Sequence, residues 1–229
     1  MEKSSFDNVQ TQYWTSEEQR KRRHPSHPVI QAFVTPKITY MKKVCSLIEK
    51  PSIVDIGAGN GYFSYWLQEW GETTAVDYSE VILEQNPVRR KLVMDARALN
   101  FPDHSFDIAF CNAVLHHIPY DNRLTVVREM ARVSGKYVII CEPNRWNPLM
   151  AALSIWKKEE RGGLDFSLSY CRKLAEDAGL RVLTAVSWGA LTPNRFPFAE
   201  RLLPFLNLLE RPLPCGAMNI IISEKRDGR

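Results

Sequence analysis

The chain has 229 residues, of which 45% are hydrophobic and 24% charged, enough for one sizeable core and a single domain. No run approaches the roughly 18 apolar residues of a membrane span, and MEKSSFDNVQ lacks the apolar stretch of a signal peptide, so a cytoplasmic protein without an integral membrane segment is expected. A net charge of +4 is too small to announce nucleic acid, and five cysteines with no CxxC pair argue for buried, reduced thiols over a zinc site or disulfide framework.

Residues 1 to 28 are polar with scattered aromatics (Phe6, Tyr13, Trp14) and read as an N-terminal arm that packs on something. Within it, RKRRHPSHP gathers four cations beside two histidines, expected as a solvated loop or helix face ahead of an anion contact. The spacing of Ile38, Met41, Cys45 and Ile48 predicts a helix from Val29 to Lys50, opened or broken at Pro36 and stopped by Pro51. Then SIVDIG, TTAVD, KLVMD, FDIAFCN and KYVIICEP read as apolar strands, with GYFSYWLQEW, SEVILEQN and NRLTVVREMARV as helices between them. Such alternation predicts a parallel sheet covered on both faces, a doubly wound α/β domain.

LSYCRKLAEDAGL follows as a helix with Leu168, Cys171, Leu174, Ala175 and Ala178 on one face and Gly179 as its cap. LRVLTAVSW and AMNIIISEK are the last strands. Two stretches break the rhythm: 146–166, and 189–216 with five prolines (Pro193, Pro197, Pro204, Pro212, Pro214). Both are read as substrate-side inserts. The expected plan is one domain over 1–229, with an arm and helix over 1–50, a ligand-binding core over 51–145, and these inserts.

IVDIGAGNGYF carries the chemical signal. Gly57, Gly59 and Gly61 after a strand allow a tight turn and close approach to a ligand. The dinucleotide fingerprint needs glycine where Tyr62 stands. Asp55 beside the turn repels a pyrophosphate and suits an ammonium group. Asp77 ends the second strand, 20 residues after Gly57, where a carboxylate can accept from ribose hydroxyls. Asp95 ends the third strand, placed to accept from an adenine amino group. The ligand implied is a nucleoside with positive charge and no phosphate.

In this order and spacing the sequence resembles the class I methyltransferases that use S-adenosylmethionine. VDIGAGNGYF is similar to their first motif, AVDYS to the acidic second-strand end, DARALNFPDHSFDIAFCNAVLHHI to the third and fourth strands, and CEPN to the fifth strand end. The resemblance is strong over residues 50–145 and looser to 223. It implies a Rossmann-like, seven-stranded, mostly parallel sheet whose last strand is antiparallel, and S-adenosylmethionine as cofactor. It also implies that Asp55, Gly57, Ala58, Gly59 and Gly61 lie near the methionine part, Asp77 with Tyr78 at the ribose, Asp95 with Ala96 at the adenine, and Asn112 with Ala113 along the cofactor.

In HHIPY, His116 and His117 follow the fourth strand and are the candidate catalytic base, with a structural or substrate-contacting role as the alternative. A metal is not expected, because adjacent histidines point apart and no third ligand is evident. CNAVLHH lacks the Asn/Asp-Pro-Pro-aromatic turn of amino-group nucleobase methylation, and PLPCG, with Cys215, reads as a turn. LMAALSIW and FAERLLPFLNLLE carry apolar surface that would roof a pocket, pack on the core or form a homodimer contact; Trp146, Trp156, Trp188 and Phe196 read as core or pocket walls. The expectation is a methyltransferase acting on a small, hydrophobic or lipid-like acceptor. An RNA or protein methyltransferase, supported by RKRR, is the alternative, with nucleic acid the less favoured partner. From other classes, a nicotinamide-dependent dehydrogenase needs the missing glycine, and a noncatalytic cofactor-binding or partner subunit needs no turnover.

Overall fold

The computed structural model describes residues 9–10, 12–14, 16, 21–192 and 199–226, apart from the side chains of residues 202, 206 and 207. Its strands are β1 (Ser52–Ile56), β2 (Glu72–Asp77), β3 (Arg90–Val93), β4 (Phe106–Asn112), β5 (Ser134–Pro143), β6 (Leu180–Trp188) and β7 (Met218–Lys225). They form one sheet in the order β3-β2-β1-β4-β5-β7-β6, with the first five parallel and β7 antiparallel to both β5 and β6. The doubly wound α/β reading therefore holds, as does the antiparallel last strand.

Side-chain alternation along the central strands divides the core in two. Val54, Ile56, Ala109, Cys111, Val138 and Ile140 face α4 (Arg123–Val133) and α6 (Leu168–Asp177). Ile53, Ile108, Phe110, Ile139 and Cys141 face α1 (Pro28–Val44) and α2 (Ser64–Leu67). Because the inner strands are covered on both sides, their middles are largely apolar, with polar residues gathered toward their ends. β3 departs from that pattern: it is one of the two edge strands, and its Arg90 and Val93 are exposed.

Several helices differ from their sequence patterns. Pro36 lies inside α1 without ending it; burial of Phe33, Val34, Ile38 and Met41 offsets the roughly 3 kcal/mol an interior proline costs. The helix stops at Val44, where a turn from Cys45 to Ile48 redirects the chain to β1. GYFSYWLQEW is helical only at Ser64–Leu67: aromatic residues are weak helix formers, and Phe63, Trp66 and Trp70 are held by the core instead. SEVILEQN shortens to α3 (Glu80–Leu83), with Pro87 close behind.

The first insert forms α5 (Pro148–Trp156) and a 3-10 segment, Lys158–Asp165. The second contains a 3-10 turn at Ala199–Leu202 and α7 (Leu203–Leu209). The Lys37 ammonium pairs with the Glu210 carboxylate, both buried, tying α1 to the end of this insert. Pro193, Phe196 and Pro197 lie outside the described residues, as does Arg20. Four of the cysteines are free and buried; Cys215 is exposed in the turn before β7.

Candidate active site

The carboxyl ends of the parallel strands open into a cavity of about 240 Å3, several times the roughly 30 Å3 share of one water. Asp55, Gly57, Ala58, Gly59, Asp77, Tyr78, Asp95, Ala96, Asn112, Ala113, His116 and His117 all line it. Gly61 does not: the chain there packs on Asn86, whose Oδ1 would lie 2.6 Å from a Cβ at position 61. Its role is to fit the turn against that side chain, so the expectation of a ligand contact is corrected.

Backbone constraints hold the wall in place. Gly57 has φ +69°, and a Cβ there would lie 2.3 Å from Val114 Cγ2, so only glycine lets the turn pass beneath Val114. The Gly57 and Ala58 N–H groups donate to the Val76 carbonyl (2.7 and 3.0 Å), fixing the turn to β2. Ala113 is held at φ +57°, a left-handed conformation costing a non-glycine residue about 1–2 kcal/mol, while its N–H donates to the Cys141 carbonyl at 2.8 Å.

The three acids sit in different environments. Asp55 is 2% exposed; burial, helped by the nearby Asp77 charge and opposed by a hydrogen bond from Ser64, raises its carboxyl to about 7. Asp77 is also pushed up by burial, against hydrogen bonds from the Ser79 and Gly59 N–H groups (each 2.9 Å) and the Arg22 charge. At Asp95 burial is outweighed by the Arg97 guanidinium and N–H, which hold the carboxyl below its ordinary value. Asn112 Oδ1 is buried beside them with no hydrogen-bond partner among the described residues. Such an acceptor costs about 1–3 kcal/mol until a donor reaches it.

At the other end, the 3-10 turn Leu115–His117 presents both histidines. Glu142, fully buried at the end of β5, accepts from the Val114 and Leu115 N–H groups (2.9 and 2.7 Å) through Oε1. Its Oε2 lies 2.7 Å from His116 Nδ1, and Glu160 Oε2 lies 3.3 Å from His116 Nε2. Burial disfavours the imidazolium, but the charges and hydrogen bonds of Glu142 and Glu160 outweigh it and raise His116 to about 9. His116 is thus a cation at neutral pH with both nitrogens engaged, which removes it as a candidate base. Glu160 reaches it because Gly162 has no Cβ, which would sit 1.9 Å from the His116 carbonyl oxygen.

His117 differs. Its Nδ1 lies 3.1 Å from the Glu159 carbonyl, which can only accept, so Nδ1 carries a hydrogen and in the neutral ring the lone pair falls on Nε2. The two imidazoles do not point apart: their centroids are 3.9 Å from each other, and ligand atoms of His116, His117 and Glu160 lie within 4.8 Å of one another. The geometric reason for expecting no metal is therefore corrected. His116 lies between the Glu142 and Glu160 carboxylates, and those three side chains form an ion-pair cluster beside His117.

The N-terminal arm covers this end. Gln10 Nε2 donates to the Glu159 carbonyl (3.1 Å), and Trp14 meets His117 edge-on with centroids 5.1 Å apart. The Arg22 guanidinium lies over Trp14 and Tyr62 and donates to Asn60 Oδ1. Arg23 pairs with Glu200. The basic cluster is therefore not simply a solvated face: Arg22 lines the cavity. Phe33, Pro143, Met150 and Met218 add an apolar wall, with Thr192 from the second insert. Trp188 is buried, whereas Trp146 and Trp156 are 64% and 80% exposed and belong to neither core nor cavity, correcting that expectation.

Residues 54–140 match the family model of a methyltransferase domain. The fold superposes on a Thermotoga maritima S-adenosylmethionine-dependent methyltransferase, described as a possible histamine N-methyltransferase, with TM-score 0.62 and 22% identity over 86% of this chain and 92% of that one. The chain thus carries a central stretch similar to a methyltransferase domain, on the fold of S-adenosylmethionine-dependent methyltransferases. An Archaeoglobus fulgidus methyltransferase of the same dependence matches the chain at TM-score 0.62 and 14% identity, over 83% and 94% of the two chains. The [4+2]-cyclase SpnF matches at 0.59 and 14%, over 84% and 81%. Such identities speak to fold, and the cyclase shows that one frame hosts different reactions.

Among curated proteins, the phosphatidylethanolamine N-methyltransferase of Cereibacter sphaeroides is 31% identical over 101 residues, 38% of this chain and 49% of that protein. An uncharacterized protein of Methanocaldococcus jannaschii is 30% identical over 89 residues, 38% and 39% of the two. The chain spans under half the length of both relatives. The residues present fit the family's donor. Asp55 and the orphaned Asn112 Oδ1 would receive its ammonium end, Asp77 its ribose, and the wall at Asp95 and Ala96 its adenine; Gly57 lets the backbone come close.

Proposed function

We propose that the chain catalyses methyl transfer from S-adenosylmethionine to a small acceptor that has an apolar portion and a hydroxyl or amine nucleophile. The observation that carries this reading is the continuity of one cavity from the glycine turn and its acids to His117 and the apolar wall of Phe33, Met150 and Met218. When bound, S-adenosylmethionine supplies a sulfonium methyl group open to in-line attack by a lone pair. The chain aligns the acceptor against it, and alignment alone can account for much of the rate. His117 Nε2 takes the proton that the acceptor's hydroxyl or amine gives up. His116, Glu142 and Glu160 fix the turn that carries His117, and the carboxylates beside that turn suit an acceptor bearing an amine. Two of the similar proteins carry an acceptor in their names, phosphatidylethanolamine for one and, as a possible acceptor, histamine for the other, and both acceptors are amines. Arg22 and Arg23 have partners within the chain, so the basic arm lends less support to an RNA acceptor.

The test is incubation with radiolabelled S-adenosylmethionine and extract fractions separated into lipids, small polar molecules, RNA and protein. Label in the lipid or small-molecule fraction, lost in His117→Ala, is the expected result. Label confined to RNA or protein, or none in any fraction despite donor binding, overturns the proposal.

A further inference from the structure

The first insert presents a surface that the catalytic reading leaves unexplained. On α5 the exposed positions are Pro148, Leu149, Ala152, Ile155 and Trp156, whereas its polar Ser154 is buried. The helix is thus apolar on both sides and turns an unbroken apolar stripe outward. Leu149, Ile155 and Trp156 are 50%, 66% and 80% exposed, with Trp146 just before the helix at 64%.

Charge brackets this stripe. Exposed Arg145 precedes it, and Lys157, Lys158 and Arg161 follow. The acids of the same segment are largely turned elsewhere: Glu160 is buried on His116, Asp165 pairs with Arg123, and Glu159 is half-buried. Tryptophans at both ends, aliphatic residues between and cations flanking are the composition of a helix lying in a headgroup–acyl boundary. At nine residues α5 is about 13.5 Å long, too short to cross a bilayer. A two-fold contact between copies fits less well, because either end of the stripe would bring cations against cations. The inner side of α5 supplies Met150 to the cavity wall, so the stripe lies at the rim of the proposed acceptor end.

We propose that the outer face of α5 docks on an anionic membrane surface and brings the cavity to an acceptor held in the lipid layer. This deepens the apolar-acceptor reading and rests on it for its purpose, though not for its geometry.

The test is co-sedimentation of the full chain with phosphatidylcholine vesicles, with and without added phosphatidylglycerol, alongside sedimentation velocity without lipid. Binding that needs phosphatidylglycerol and weakens with salt is expected. Ile155→Ser with Trp156→Ser should lower partitioning by about tenfold or more, and Lys158→Glu with Arg161→Glu should abolish the preference for anionic vesicles, while S-adenosylmethionine affinity stays unchanged in both. Absence of wild-type binding, equal binding by the serine variant, or a lipid-free dimer dispersed by the same substitutions overturns the docking. Vesicle binding without methyl transfer to any acceptor would overturn the proposed function and leave the docking standing; methyl transfer to a soluble acceptor without vesicle binding would do the reverse.

Discussion

The donor end of the cavity is built from strand ends and tight turns between Asp55 and Ala113, each anchored by backbone hydrogen bonds to the sheet. The proposed acceptor end gathers Gln10, Trp14, Met150, Glu160 and Thr192, which are far apart in the chain and meet largely through side-chain contacts. The first arrangement is rigid because its atoms belong to the sheet itself. The second depends on buried ion pairs and on an arm and inserts that can change without disturbing the strands. A fold of this kind can keep one donor and exchange acceptors, and each half should fail separately when altered.

The largest effect is expected at Glu142. Glu142→Ala leaves a buried imidazolium short of one partner and orphans two N–H groups, costing about 3–5 kcal/mol of stability, measurable by urea unfolding. Gly57→Ala follows at about 2–4 kcal/mol, from the contact with Val114 and the positive φ, and should remove donor binding; unchanged affinity would mean that the turn does not form the donor wall. His117→Ala should lower turnover about a hundredfold at nearly constant donor affinity. Asp77→Ala should do the opposite, weakening the donor by about 1–3 kcal/mol.

The smallest effects are those of pH. Asp55 holds its proton up to about 7 in the free protein. A cationic donor favours the carboxylate, so affinity should rise as pH rises through 7 and fall by up to about tenfold per pH unit below it. Stability without donor runs the other way. The raised Asp55 contributes stability that is full below its ordinary value of 3.8 and lost as pH rises through about 7; His116 contributes stability full below 6.5 and lost through about 9. Thermal melts should therefore shift downward from mildly acidic to alkaline pH, and His116→Gln should flatten the upper part of that slope.

The donor end was legible in the sequence because its signals are local. A strand, a glycine turn and acids at strand ends announce themselves within a few residues, and Tyr62 argued against phosphate before any fold was known. The acceptor end was not, because nothing near Trp14, Arg22 or Glu160 in the chain says what each will meet. Glu142 lies in CEPN at the fifth strand end, yet its hold on His116 and the 114–115 amides exists only once β5 lies beside β4. His116 and His117 looked interchangeable as neighbours in sequence; carboxylates from distant elements separate them into a fixed cation and a candidate base. Trp146 and Trp156 misled for a related reason: apolar side chains suggest a core, but α5 turns that face outward.

The most direct test of the separation between the two ends is calorimetric titration of Asp77→Ala and His117→Ala with S-adenosylmethionine beside the wild type. The wild type should bind S-adenosylmethionine, His117→Ala should retain that affinity, and Asp77→Ala should lose about 1–3 kcal/mol of it. A wild type that binds NAD in place of S-adenosylmethionine, or a His117→Ala variant that loses donor affinity as fully as Asp77→Ala, would contradict this reading.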